Sequence, residues 1–92
     1  MEDWMRPVAQ VLAPIGASTV TYTRDVGTDV NPLNKKDVPG FSPAQDSRFY
    51  FNYHHTAADT FDKVDARELN ENAAVMAVLA YALADSAEAA PR

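Results

Sequence analysis

Two adjacent histidines, His54 and His55, are the only histidines of the chain, and Asp59 follows them in the segment NYHHTAADTFDKVD. Imidazole and carboxylate groups are zinc ligands, and a zinc site generally uses roughly three or four protein ligands. Neighbouring side chains on a strand point to opposite faces, so both imidazoles can serve one metal only where the backbone is irregular. The spacing therefore favours one ligand over two.

A second interpretation of the pair is purely structural. Three aromatic residues, Phe51, Tyr53 and Phe61, flank the histidines. The imidazoles can pack against these rings and cap loop carbonyls. Because a full ligand set is missing from the spacing, the residues alone favour this interpretation.

Helices are predicted on both sides of the histidine segment. Apolar residues at helical spacing predict a helix over 2–12, which ends at Pro14 and Gly16, and a proline favours a short helix from about Asn31. Asp65 is a good N-cap, and Glu68 completes a capping-box pattern ahead of a helix that reaches Asp85. We expect residues 86–92 to be frayed.

Strands are predicted between these helices. The segment STVTYTR (18–24) is β-branched and aromatic, and VPGFSPAQD (38–46) resembles a short buried strand that ends in a loop. SRFYFNY (47–53) is a further candidate for extended structure. The expected order is helix, strand, helix, strand, helix in one partial α/β domain over residues 1–92.

The last helix is apolar around most of its circumference. One stripe contains Leu69, Ala73, Met76, Ala80 and Leu83; Val75, Val78 and Ala82 point to nearly the opposite side. Such a helix is stable when two sides are covered. We expect the surface with Val75, Val78 and Ala82 to be left exposed, and a homo-oligomer, most simply a twofold dimer, to cover it.

Composition limits the partners. Eight basic and 13 acidic residues give a net charge of −5, which argues against nucleic acid or an anionic membrane as a partner. The chain has no cysteine, so disulfides and thiolate-bound zinc are excluded. The apolar segment of its last helix, residues 73–84, is shorter than the about 20 residues that span a bilayer, and the acidic start has no export-signal pattern.

The segments GTDVNPL (27–33) and 37–85 resemble the carboxy-terminal part of the co-catalytic dizinc exopeptidases, the family of bacterial aminopeptidases and plasma glutamate carboxypeptidase (carboxypeptidase Q). The resemblance covers about residues 8–85. Its most specific element is a pattern of histidine, Ser or Thr, two free positions, an acidic residue and threonine, matched by His55, Thr56, Asp59 and Thr60. It implies a fragment of a three-layer α/β/α fold and removal of terminal residues from peptides.

The resemblance also implies roles for residues. His55 corresponds to a metal ligand, and His54 stands where the family often has a tyrosine that assists the oxyanion. Asp59 would fix the turn behind the ligand, and Thr28 and Asp29 would lie on the substrate side. Both aspartates are also ordinary turn residues, and that alternative stays open.

The family's other catalytic parts have no match in this chain. No histidine precedes His54, and no Glu-Glu pair, which in the family supplies a ligand and the general base, occurs. The resemblance therefore implies dinuclear zinc in an intact enzyme, weak or no zinc in this fragment, and no hydrolysis by the chain alone. Its relatives are often secreted or periplasmic. The competing hypothesis is a non-enzymatic, self-associating interaction module.

Overall fold

The computed structural model describes residues 2–45 and 48–91, which form helices joined by irregular segments. The α-helices are α1 (Glu2–Leu12), α2 (Asn31–Asn34), α3 (Tyr50–Tyr53) and α4 (Ala66–Asp85). Two 3-10 turns, Ala13–Ile15 and Phe61–Lys63, follow α1 and precede α4. Helix α1, the short helix at Asn31 and α4 are as expected from the sequence.

The predicted α/β fold is wrong for this structure, because its described residues contain no strand. Residues 18–24 are irregular and exposed, and residues 38–45 also lack regular structure. The aromatic segment expected to be extended instead contains α3. A β-propensity describes how a side chain fits a pleated surface among neighbouring strands, and a strand without such a neighbour leaves its backbone groups unpaired. Positions 46 and 47, within the predicted extended segments, lie outside the described residues.

The hydrophobic core is a single contact between the two long helices. Met5, Val8 and Leu12 recur on one face of α1 and are the buried apolar residues of the described chain. They pack against four half-buried residues of α4: Val75, Val78, Leu79 and Ala82. The core therefore depends on helical periodicity in α1 and on one side of α4.

This packing corrects the prediction of which side of α4 is exposed. Val75, Val78 and Ala82, expected at the surface, are among the residues that contact α1. Leu69 and Met76, on the opposite side, are 54% and 58% exposed. The apolar stripe of α1 is narrow, so it covers one side of α4 and leaves the other exposed.

The middle of the chain reaches the core through Phe41. Its ring lies against Trp4 of α1, with centroids 6.2 Å apart. Just before it, Gly40 packs so closely that a Cβ there would lie 2.6 Å from Val30 Cγ1 and 2.9 Å from Val26 Cγ2. A residue without a side chain is thus required where this segment turns toward α1.

Both ends of α4 are fixed by polar contacts. At its start the Asp65 carboxylate accepts a hydrogen bond from the Glu68 N–H at 2.9 Å, so the predicted N-cap is confirmed. Beyond its end the Trp4 Nε1–H donates to the Glu88 carbonyl at 3.1 Å. No helix of the described residues has the length and apolarity needed to cross a membrane.

The α1–α4 contact should dominate stability. Leu12 is 5% exposed, so Leu12→Ala leaves a cavity between the helices and should lower the free energy of unfolding by ~2–5 kcal/mol. Val11, one position away, is 65% exposed, and Val11→Ala should change the free energy of unfolding by no more than about 0.5 kcal/mol. Urea unfolding followed by circular dichroism at 222 nm measures both. Equal effects of the two variants would contradict this core.

Candidate functional site

The histidine pair lies where α3 ends. The His54 N–H donates to the Tyr50 carbonyl at 2.9 Å and closes the last turn of the helix. His55 then adopts φ +53°, in the left-handed region that non-glycine residues rarely occupy. This change of backbone direction brings both imidazoles to the same side of the chain, with ring centroids 3.8 Å apart and planes 20° from parallel.

Stacked imidazoles cannot share one metal ion in this arrangement. The nitrogen lone pair lies in the plane of the ring, and zinc binds along it at about 2.0–2.1 Å. The lone pairs of two nearly parallel rings run side by side, so an ion between the rings would lie out of both planes. The backbone at His55 is irregular, which is the condition under which both histidines could have bound one metal ion. Because the rings are stacked, only one histidine at a time can serve as a ligand.

His54 is held by the aromatic residues of α3. Its ring stacks on Tyr50, with centroids 4.7 Å apart, and meets the edge of Phe51 at 5.8 Å. Phe51 was one of the rings expected from the sequence, whereas Tyr50 was not. His54 is half-buried and His55 is exposed, so the outer imidazole of the stack is the one open to a ligand.

The turn after the histidines is fixed mainly by threonine and backbone groups. The Thr56 hydroxyl donates to the Tyr53 carbonyl at 2.6 Å, and the Asp59 N–H donates to the Thr56 carbonyl at 3.1 Å. Among the described residues no hydrogen bond to the Asp59 carboxylate is found. Asp59 thus enters the turn through its backbone, while its carboxylate remains available at the surface.

The next turn, the 3-10 segment Phe61–Lys63, carries two charged side chains, Asp62 and Lys63. The Asp62 carboxylate accepts hydrogen bonds from the Thr60 hydroxyl and from Lys63 Nζ, and these hold the pKa of that carboxyl below its usual value. The Lys63 ammonium also lies 5.4 Å from the centre of the Tyr53 ring. Lys63 therefore ties this turn to α3.

An open cleft of about 580 Å³ lies between the histidine turn and the first turns of α4. Its walls include the site residues expected from the sequence, His54, His55 and Asp59. Tyr50, the flanking Tyr53 and Thr60 of the family pattern also line it. The remaining wall residues are ones that the sequence reasoning did not assign to the site: Gln45, Lys63, Val64, Asp65, Glu68, Leu69 and Asn72. The N-cap pattern gave the position of α4, but no spacing indicated that its first turns would face the histidines.

Zinc is not accommodated by the described residues alone. Within ranges 2–45 and 48–91, no three histidine, aspartate or glutamate side chains come close enough together to hold a metal ion. A resident zinc needs roughly three protein ligands. The cleft can therefore contribute an imidazole to a metal site, but the described residues do not complete one.

The second predicted element, the turn at Thr28 and Asp29, does not reach this cleft, whose walls it does not join. It is a compact loop built on Asp25, whose carboxylate accepts from Asn31 Nδ2 at 2.8 Å and from the Gly27 N–H at 3.1 Å. Gly27 has φ +107°, which favours glycine. The Asp25 pattern is an aspartate turn that the sequence analysis overlooked.

Asp25 should titrate at an unusually low pH. The Asn31 amide and then the Gly27 N–H stabilise its carboxylate and lower its pKa below the ordinary 3.8. The resulting stabilisation is fully present above the unfolded-state pKa and is lost as the pH falls through the lower, folded-state pKa. A pH titration of the Asp25 carboxyl carbon by NMR should show this, and Asn31→Ala should raise the pKa. Asn70→Ala, at an exposed position of α4, is the control and should leave the Asp25 pKa unchanged. An ordinary Asp25 pKa in the unmodified chain would contradict the hydrogen bonds that define this loop.

Comparison with known proteins gives a consistent result. The family model for Peptidase family M28 matches residues 1–80. Carboxypeptidase Q of Mus musculus is 39% identical over 88 residues, that of Bos taurus 40% and that of Homo sapiens 38%. Each alignment covers 96% of this chain and 18% of the relative, so the chain spans less than a fifth of the length of these proteins. No solved structure matches. The match of most of the chain to one family model, together with these identities, shows that the chain belongs to peptidase family M28.

Proposed function

We propose that this chain is the carboxy-terminal portion of a zinc-dependent exopeptidase and supplies His55 as one metal ligand. The family match over residues 1–80, which includes the histidine turn, carries the proposal. The exposed imidazole of His55 on an open cleft supports it. The peptide substrate and the zinc dependence are those of the intact family enzyme.

The two histidines have different roles in this proposal. His55, exposed and on a left-handed backbone, offers its ring to the ion. His54 is fixed by Tyr50 and Phe51, so its ring would present an N–H in a defined direction to the carbonyl oxygen of a bound peptide. A fixed donor at the oxygen that becomes negative assists hydrolysis, because it requires no reorganisation during the reaction.

Other residues complete the substrate side. Asp59 would fix the turn that carries His55, since groups behind a ligand set its direction. Thr28 and Asp29 would contact the peptide once their loop is brought near the cleft. The remaining ligands and the general base would come from a further peptidase segment, because the described residues do not form a full ligand set.

Peptide hydrolysis tests the first part of the proposal. The purified chain with added zinc should not cleave aminoacyl-nitroanilide or dipeptide substrates above the buffer rate, because its described residues do not form a complete ligand set and its sequence has no match to the family's Glu-Glu general base. An intact family enzyme serves as the positive control. Metal-dependent turnover by this chain that His55→Ala abolishes would contradict the proposal.

Zinc titration followed by NMR tests the role of His55. With one ligand, zinc should bind weakly and shift the His55 ring signals without saturating at equimolar metal. The shift should be lost in His55→Ala and kept in His54→Ala, which removes the neighbouring imidazole. Tight stoichiometric zinc in a monomer, or a shift that depends equally on both histidines, would overturn the assignment.

A second candidate function is self-association as a non-enzymatic module. The observation that favours it is the apolar side of α4 left uncovered by α1, where Leu69 and Met76 are more than half exposed. Apolar patches on proteins in water usually become contacts. The uncovered side of the helix is separate from the α1 contact, and its Leu69 also lines the histidine cleft.

A further inference from the structure

Gly40 packs against both ends of the turn that carries Thr28 and Asp29. A Cβ at position 40 would lie 2.6 Å from Val30 Cγ1 and 2.9 Å from Val26 Cγ2, one valine on each side of that turn. Carbon atoms of packed side chains are ordinarily about 3.5–4.0 Å apart. The space between the two valines is therefore filled by the backbone of residue 40 and has no room for a side chain.

These close contacts are not easily relieved by side-chain movement. Val26 and Val30 are half-buried and β-branched, so rotation about χ1 is restricted. On a third side, Asn34 Oδ1 lies 2.9 Å from the same Cβ position. Asn34 belongs to α2, the helix that follows the turn. Gly40 is thus enclosed by the turn on two sides and by α2 on the third.

The requirement for glycine at position 40 is one of space and not of backbone conformation. Gly16 and Gly27 have positive φ values of +76° and +107°, whereas Gly40 does not lie in the left-handed region. An alanine at position 40 would therefore meet no left-handed strain. Its methyl group alone would conflict with the turn.

The turn is closed by its own hydrogen bonds. The N–H groups of Val30 and Asn31 donate to the Gly27 carbonyl at 3.1 and 2.9 Å, and Asn31 Oδ1 accepts from the Val26 N–H at 3.1 Å. These bonds join the two ends of the turn, while the tip, residues 28–29, is exposed. A shift of either valine is therefore transmitted to the tip.

Gly40 also connects the turn to the core. Phe41 follows directly in the chain and packs against the core, with its ring 6.2 Å from that of Trp4. Neither Gly40 nor Phe41 is among the described residues that line the histidine cleft. The turn is thus supported from α1, independently of the histidines.

We infer that Gly40 is a positioning residue for the turn at Thr28 and Asp29: its missing side chain lets Val26 and Val30 pack on the backbone and so fixes where the tip is presented. The role of Thr28 and Asp29 toward a peptide is that of the proposed function, on which this inference rests. A tip held in place before the peptide arrives lowers the ordering cost of binding.

Gly40→Ala adds one methyl group and tests this role by NMR on the full chain. The amide signals of Thr28 and Asp29 should move. The Asn31 amide should exchange with solvent about tenfold faster, because its hydrogen bond within the turn is loosened. Ser42→Thr adds one methyl group at an exposed position of the same segment and should leave these signals and this rate unchanged.

The Asp25 carboxyl provides a second readout. The Asn31 amide and then the Gly27 N–H lower its pKa, so displacement of the turn by Gly40→Ala should raise that pKa toward 3.8. A general loss of stability leaves the pKa of the folded chain unchanged, which separates positioning of the turn from a purely structural effect. Ser42→Thr should leave the pKa unchanged.

Val30→Ala supplies a rescue, because it removes the atom nearest to the added methyl group. Since residues in contact are energetically coupled, the displacement caused by Gly40→Ala should be at least about threefold smaller in the Val30→Ala background. Should Gly40→Ala fail to fold, Val30→Ala alone tests the contact from the other side. It should accelerate exchange of the Asn31 amide and leave the Leu79 amide of α4 protected, and an unchanged Asn31 rate overturns the inference.

Three further results would overturn the positioning role. They are unmoved Thr28 and Asp29 signals in Gly40→Ala, a displacement of equal size with and without Val30→Ala, and an equal change at the Leu79 amide, which would place the effect on the whole fold. The proposed function fails separately, through the zinc response of His55. That failure leaves the support of the turn by Gly40 intact, whereas failure at Gly40 leaves the His55 response intact.

Discussion

The contact between α1 and α4 is the constraint on which the rest of the structure depends. Met5, Val8 and Leu12 are the buried apolar residues of the described chain, and they are covered by one side of α4. Burial of apolar area is the main favourable term in folding, so this contact sets which side of α4 is available for anything else. The cleft at one end of α4 and the uncovered face along its length both follow from that choice.

The histidine cleft is built from local structure that this contact supports. The Asp65 cap fixes where α4 begins, and α4 then provides one wall of the cleft. The opposite wall is α3, held by ring stacking and by the Lys63 contact with Tyr53. Thus a short-range aromatic cluster and a capped helix position the imidazoles without any buried polar group in the described residues.

The sequence predicted those features that depend on local order alone. The α1 stripe, the Asp65 cap and the proline-led helix at Asn31 follow from spacing within one element, and the structure contains all three. The strands were predicted from side-chain type, but a strand requires a partner, which spacing along one segment cannot provide. Likewise the adjacent histidines could be named from the sequence, whereas their stacking depends on a single φ angle at His55.

The sequence pattern also could not predict which side of α4 packs against α1. Both sides are apolar, and in the structure α1 packs on the face of Val75 and Val78 and leaves the face of Met76 exposed. A pattern gives the faces of a helix, and packing chooses among them. The family resemblance supplied what the periodicity could not, because its pattern points to His55 rather than His54 as the proposed ligand.

The left-handed backbone at His55 has an energetic implication. Glycine could occupy this φ freely, whereas a residue with a Cβ pays about 1–3 kcal/mol in conformational energy. The core of the chain is small, so this cost is a substantial fraction of the available stability. Glycine would relieve this strain but would remove the imidazole, so at this position the ease of folding and the presence of a ring oppose each other.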